Sequence, residues 1–433
     1  MWTVIGVILF IMGLLVSIGW HEAGHLFFAK LFGVRVTQYM LGFGPTLFSR
    51  TKGDTEYGIK AIPLGGYIRI VGMVPPAKNV HNGSSRQSGR SGAIRQLVDR
   101  SRKADLERVG AEDDGRQFYR LHPAKRIVVM IAGPLQNLIL AVVLFGIIVT
   151  AVGLPTSVPV ISEVSQCLVP ATTTATICPA GAKPTPAALA GLRAGDRITS
   201  VADQRVTSWD QAVALIQSAA GTTVPLSYER AGVTTTVAIP IVVNAVAVFD
   251  ANGRLSGTER TGFLGVFIKT EFQRQSIGTV FSLAGQYTDR AASSLLALPG
   301  RIPPLWNAVF GGAERDANSP IGIVGAGRLS GDILSLATDT RAKLLLFLEL
   351  LAGFNMSLFL LNLLPLLPLD GGHILGATIE WIRRGVARAM HRPAPGPFDA
   401  ARLMPLAYVV AVLFLGLSAL TFLADIINPV KLS

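Results

Sequence analysis

The sequence predicts a polytopic α-helical membrane protein with four transmembrane helices, a membrane-associated β-hairpin beside the first of them, and a small extracytoplasmic α+β unit. Three observations carry this prediction. Half of the 433 residues are hydrophobic, only 15% are charged, and the mean hydropathy is +0.47, which is too apolar for a soluble enzyme. Apolar stretches of membrane-spanning length lie at about 3–28, 127–152, 344–367 and 405–427. The charges between them are unequally shared, with 18 Lys/Arg against 8 Asp/Glu from Lys30 to Arg126, but 15 against 13 from Gly153 to Lys343. An excess of basic residues next to a span marks the cytoplasmic side, so 30–126 is expected inside and 153–343 outside. The formal net charge of +12 is thus explained by topology, and nucleic acid is not an expected partner.

The first span, residues 1–30, contains Trp20-His21-Glu22-Ala23-Gly24-His25. Side chains four apart share one face of a helix, so His21 and His25 can bind one metal ion with Glu22 beside it as general base for a water. Ionisable groups inside an apolar span are costly, which makes a functional reading the default. A cleaved signal peptide is the alternative for this segment, but it lacks a basic start and is too long.

Residues 31–74 are expected to form the membrane-associated hairpin. Leu41-Gly42-Phe43-Gly44-Pro45 reads as a turn, and Glu56–Ile62 and Tyr67–Val71 alternate like strands joined through Pro63-Leu64-Gly65-Gly66. Such a hairpin could offer an edge to an extended peptide or simply cover a loop. Residues 75–124 read as a flexible cytoplasmic loop with a short helix near Ile94–Val109. The second span, 125–152, contains Ala132-Gly133-Pro134-Leu135-Gln136-Asn137, whose glycine permits a close helix approach. Its amides serve either packing or a nearby site, and the residues leave both open.

Cys167 and Cys178 are the two cysteines, eleven apart in a segment expected outside, where a disulfide is permitted and two free thiols are the alternative. Residues 155–245 alternate short strands with a helix at Ser208–Ser218. Residues 246–343 follow as an extracytoplasmic, juxtamembrane region with a strand at Gly262–Thr270 and amphipathic pieces around Val280–Leu298 and Leu305–Phe310. The third span, 344–373, runs into Asn362-Leu363-Leu364-Pro365-Leu366-Leu367-Pro368-Leu369-Asp370-Gly371-Gly372-His373, where two prolines should break the helix. Asp370 then sits at membrane depth, tolerable only if buried in protein or bound to something. A cytoplasmic loop (374–404) and a fourth span (405–428) complete the chain.

A catalytic zinc usually takes three protein ligands and keeps a position for water. His21 and His25 supply two. Asp370 and His373 are the candidates at a matching depth for the third, and Asp370 is preferred.

Residues 185–198, with Ala190-Gly191-Leu192-Arg193-Ala194-Gly195-Asp196-Arg197-Ile198, resemble the turn of a bacterial protease-associated PDZ domain, which implies a groove pairing a peptide end with a strand. The whole chain, apart from the 75–117 loop, resembles the site-2 protease family of intramembrane zinc metalloproteases. The resemblance rests on H-E-x-x-H in the first span, N-x-x-P-x-x-x-x-D-G-G after the third, and the Gly-Phe-Gly-Pro and Pro-Leu-Gly-Gly-Tyr segments. It points to the single-PDZ bacterial branch that processes anti-sigma factors. It implies Zn2+ held by His21, His25 and Asp370, with Glu22 as catalytic acid/base. It also implies substrate contacts at Asn362 and at the hairpin residues Gly65, Gly66 and Tyr67. The partners it implies are single-span membrane proteins already cut outside, and the location a cell membrane, with both termini and the PDZ domain outside and the active site near the cytoplasmic face. Some relatives carry a second asparagine where this chain has Ser357, with Asn355 nearby, so that role is not carried over. A non-catalytic PDZ scaffold is disfavoured by the intact His21, Glu22, His25 and Asp370. A metal transporter is disfavoured because the polar residues cluster at one place instead of lining several spans.

Overall fold

The computed structural model describes residues 2–75, 115–168, 178–249, 255–316, 318–393 and 395–430. The expected helix near Ile94–Val109 and most of the 75–124 loop lie outside these residues. The chain divides into two compact units, one of residues 1–152 and 276–433, the other of residues 153–275.

Among the described residues, four helices of the first unit are long and apolar enough to cross a membrane. They are α1 (Trp2–Leu31), α2 (Pro123–Ile147, continued by a π-helical turn at Ile148–Val152), α7 (Thr340–Leu363) and α9 (Met404–Ile427). Helices α5 (Gly278–Phe310), α6 (Ile323–Ser335) and α8 (Asp370–Ala389) join them. One face of α1 carries Gly6, Phe10, Ser17, His21 and Gly24, so small residues and the motif histidines point the same way. A β-carbon on Gly6 would lie 2.6 Å from Ser330 O of α6, and one on Gly24 would lie 2.5 Å from Ala132 O of α2. Between these crossings the Asn355 amide of α7 donates to Ser17 Oγ at 2.9 Å. Asn355 thus fastens α7 to α1 one helical turn above His21.

The hairpin is more folded than expected. Its strands β1 (Val36–Lys52) and β2 (Thr55–Ile70) run through both predicted turns, with register shifts in place of breaks. The 36–41 segment is consequently paired on two sides, by 66–70 in antiparallel register and by 56–59 in a register where both residue numbers rise together. Residues 66–70 form an outer strand of this sheet. Phe43, Leu47, Phe48, Ile59 and Ile62 are exposed on it, an apolar surface suited to a membrane.

Two other expectations for this unit need correction. The 374–404 stretch is not simply a loop, because its first half continues α8. The two amphipathic pieces in 246–343 are one 33-residue helix, α5, which continues through Pro299, Pro303 and Pro304.

The second unit is an antiparallel sheet of order β10-β3-β4-β6-β7, with β5 on β4. Its strands are β3 (Leu154–Val164), β4 (Arg197–Val201), β5 (Gln204–Arg205), β6 (Thr223–Arg230), β7 (Val233–Pro240) and β10 (Val266–Gln273). A separate hairpin of β8 (Val242–Phe249) and β9 (Leu255–Phe263) intervenes before β10. Because β10 returns to pair with β3, the unit extends to residue 275 and not 245. The short helix α3 (Pro186–Leu189) starts with Thr185 Oγ1 accepting from Ala188 N–H and a proline in the first turn. Helix α4 (Trp209–Ser218) is capped by Ser208, whose hydroxyl accepts from Gln211 N–H. Ile161, Ile198, Val201, Ala212, Ile216, Leu226 and Ile239 form the core. In the turn before β4, the buried Asp196 accepts both Arg230 nitrogens at 2.7 Å and Arg193 N–H at 2.8 Å. Cys167 and Cys178 are joined in a disulfide.

Candidate metal centre

Helix α1 places His21 and His25 one turn apart, and α8 presents Asp370 as its first residue. The three ligand atoms form a nearly equilateral triangle: His21 Nε2 to His25 Nε2 is 3.2 Å, and Asp370 Oδ2 is 3.2 Å from the first and 3.3 Å from the second. A tetrahedral ion with ligand bonds of about 2.0–2.1 Å spaces its ligands about 3.3–3.4 Å apart. The donor set therefore fits zinc in size and in chemistry. Asp370 Oδ2 is buried without a hydrogen-bond partner, which is the condition of an atom reserved for a cation.

Both imidazoles are turned by their other nitrogen. His25 Nδ1 lies 2.8 Å from Val129 O, so Nδ1–H donates and Nε2 keeps its lone pair. The amide of the fully buried Asn137 lies 3.1 Å from His21 Nδ1. The atom placed there is Nδ2; with the proton on Nδ1 that a metal-binding Nε2 requires, the amide turned end for end would accept it through Oδ1. Of the two α2 amides left open by the sequence, Asn137 belongs to the site, while Gln136 packs its methylenes on the Gly24 face of α1.

Glycines make these approaches possible. A β-carbon on Gly133 would sit 2.1 Å from His25 Nε2, so α2 must be bare there. One on Gly371 would lie 2.1 Å from Leu364 O, and one on Gly372 2.6 Å from Leu367 N. The Asp-Gly-Gly sequence thus lets α8 start against the chain that has just left α7.

A cavity of about 340 Å³ opens beside the triangle, and it is lined by Glu22, Gly66, Tyr67, Ile68, Asn362 and His373, among others. Ile68 lines the cavity beside Glu22. Gly66 lies close enough that its β-carbon would touch Ile18 at 2.7 Å and reach Glu22 Cγ at 3.5 Å. Tyr39 donates its hydroxyl to Gly19 O at 2.8 Å, which ties β1 to α1 two residues before the first histidine. The outer strand of the hairpin therefore borders the same cavity as the base and the ligands. Gly65 is the one predicted hairpin residue not on the cavity wall. It stands next to Gly66 with φ +147°, and a β-carbon there would strike the Phe43 ring at 2.4 Å.

Sequence reasoning missed the Val129 carbonyl, since every residue offers one, and the buried ion pair of Arg126 with Glu380. That pair holds the start of α2 to α8, and Glu380 is also ion-paired with Arg384 at 2.7 Å and accepts from Phe398 N–H at 2.7 Å.

Residues 9–393 match the model of Peptidase family M50. The chain belongs to peptidase family M50. It is 34% identical to zinc metalloprotease Rip1 of Mycobacterium tuberculosis over 99% of both chains. It is also 26% identical to zinc metalloprotease RasP of Oceanobacillus iheyensis over 88% of this chain and 91% of that one. Metalloprotease MmpA of Caulobacter vibrioides is 26% identical over 91% of this chain and 89% of its own. Membership makes the chain a zinc metalloendopeptidase, with four membrane-length helices among the described residues.

Proposed function

We propose that this M50 peptidase is a zinc-dependent intramembrane endopeptidase, with His21, His25 and Asp370 as zinc ligands and Glu22 as the general acid/base. One observation carries the reading. Three metal-type ligand atoms at zinc spacing, a carboxylate outside that triangle and a strand edge all meet on one cavity. Zinc, when bound, lowers the pKa of water to about 7 and polarises a carbonyl oxygen. Glu22 takes the proton of the attacking water on its carboxylate and returns it to the nitrogen of the leaving amine. Val129 O and Asn137 hold the imidazoles so that both Nε2 atoms remain unprotonated. Asn362, on the cavity wall, donates its amide to the substrate carbonyl.

The substrates are transmembrane segments of single-span proteins such as anti-sigma factors, shortened beforehand by another protease. A substrate helix hides its amides in its own hydrogen bonds and must unwind before it can be cut. Pairing with the 66–70 strand, through Gly66 and Tyr67 beside the base, replaces the bonds lost. Gly65 and Gly66 keep that edge free of side chains. Residues 153–275 are a PDZ domain outside the membrane, a size filter for incoming ectodomains, with both termini on the same side. The active site faces the cytoplasmic half of the bilayer.

The test is Glu22→Gln in vesicles containing a truncated single-span substrate. Cleavage is lost while zinc, measured by elemental analysis, stays at one per chain. Undiminished cleavage would refute the assignment.

A further inference from the structure

Helix α8 has two apolar sides, of which one is packed against α2, the end of α7 and Phe398. Its inner side, Gly376, Ala377 and Glu380, is buried in the bundle. A second stripe, Leu375, Ile379, Ile382, Val386 and Met390, follows the i, i+4, i+7, i+11, i+15 spacing of a single helix face about 125° away. Ile382 is 61% exposed, and Val386 and Met390 are each 52% exposed. Arg383, Arg388 and Arg392 are also exposed, whereas Arg384 is taken up by Glu380.

Sequence position decides what medium covers the stripe. Helix α8 lies between membrane spans α7 and α9 and so is confined to one membrane face. It is about 30 Å long at 1.5 Å per residue, but Glu380, Arg383, Arg384 and Arg388 along it exclude a crossing. An apolar stripe beside basic residues, on a helix held at a membrane face, has the composition of an in-plane anchor. Cationic side chains there meet anionic headgroups.

We propose that α8 lies in the plane of the bilayer and binds anionic lipid, with the 375–390 stripe among the acyl chains and Arg383, Arg388 and Arg392 at headgroup phosphates. Asp370 is the first residue of α8, so the depth at which the helix lies sets the position of that carboxylate beside the histidines. The lipid contact does not depend on the protease assignment.

The test uses the full chain in vesicles. The two native cysteines are paired, so an introduced cysteine is the only free thiol. A nitroxide is attached in Ile382→Cys, in Val386→Cys, and in Trp381→Cys on the far side of the helix. In phosphatidylcholine vesicles containing phosphatidylglycerol, collisions with an aqueous nickel chelate are lost at 382 and 386 but kept at 381, and collisions with oxygen rise at 382 and 386. Pure phosphatidylcholine, or the triple change Arg383→Gln, Arg388→Gln and Arg392→Gln, moves both labels toward water. Labels at 382 and 386 that meet the chelate as freely as 381 would overturn the proposal. Shielding from both chelate and oxygen would also overturn it, because a protein surface would then cover the stripe. Identical depth in the two lipids would overturn the anionic preference.

Discussion

Gly133 of α2 and His25 of α1 approach so closely that a β-carbon on the glycine would occupy the space of the imidazole, 2.1 Å from Nε2. That contact places the Val129 carbonyl, four residues earlier on α2, within 2.8 Å of His25 Nδ1. Gly133→Ala should therefore push the ring off its position or pry the helices apart. Overpacking of this kind costs about 1–3 kcal/mol. The expected result is a lower melting temperature together with zinc lost during purification. A variant that melts and binds zinc like the parent would show that the close approach is not needed.

The Asn137 amide lies 3.1 Å from His21 Nδ1 and, turned so that its oxygen faces the ring, would accept the Nδ1 proton. Loss of such a partner typically costs about 10–100-fold in metal affinity or activity. Asn137→Leu should show that loss in a chelator competition. Asn137→Asp, which still accepts from Nδ1–H, should retain most of the affinity. Equal behaviour of the two variants would make the residue mere packing.

The His21, His25 and Asp370 triangle was legible in the sequence because its parts are unusual where they stand: two histidines at helical spacing after an uncharged stretch from Met1 to Gly19, and an aspartate after two prolines. Asn137 was half legible, since an amide in a span must find a partner but does not name it. Helix α8 escaped because Pro365, Pro368 and the two glycines read as a breakdown of structure, although the Leu375–Met390 stripe was there to be read. The expected strand Gly262–Thr270 overlaps the end of β9 and the start of β10, but the pairing of β10 with β3 joins residues about a hundred positions apart across an inserted hairpin, and no local pattern reports that.

Asp196 ties the turn before β4 to Arg230 of β6. Burial pushes its carboxyl up, but the hydrogen bonds from Arg230 and from Arg193 N–H outweigh this and hold it below the usual carboxylate range. A carboxyl with a depressed folded-state pKa adds stability that is present above its unfolded value, near 4. This stability is lost as pH falls through the lower, folded value. Asp196→Asn should destabilise residues 153–275 by about 2 kcal/mol at neutral pH. Its melting temperature should also fall less steeply than the parent's between about pH 4 and pH 2. Parallel acid-melting curves would contradict the role given to this pair.

Arg126 and Glu380 join the start of α2, which carries Val129, Gly133 and Asn137, to α8, which begins with Asp370. Both side chains are buried, at 7% and 1% exposure, so each charge depends on the other. Breaking such a pair from one side typically costs about 3–5 kcal/mol, while replacing both members by apolar residues is often neutral. Arg126→Met should leave Glu380 with only Arg384 and Phe398 N–H, loosen α8 from α2, and release zinc at lower chelator concentration. Adding Glu380→Leu to Arg126→Met should restore most of the melting temperature. If zinc retention returns with it, the pair acts by holding α2 and α8 together. If stability returns but zinc retention does not, the charges themselves orient Asp370, and the packing account of this contact is wrong.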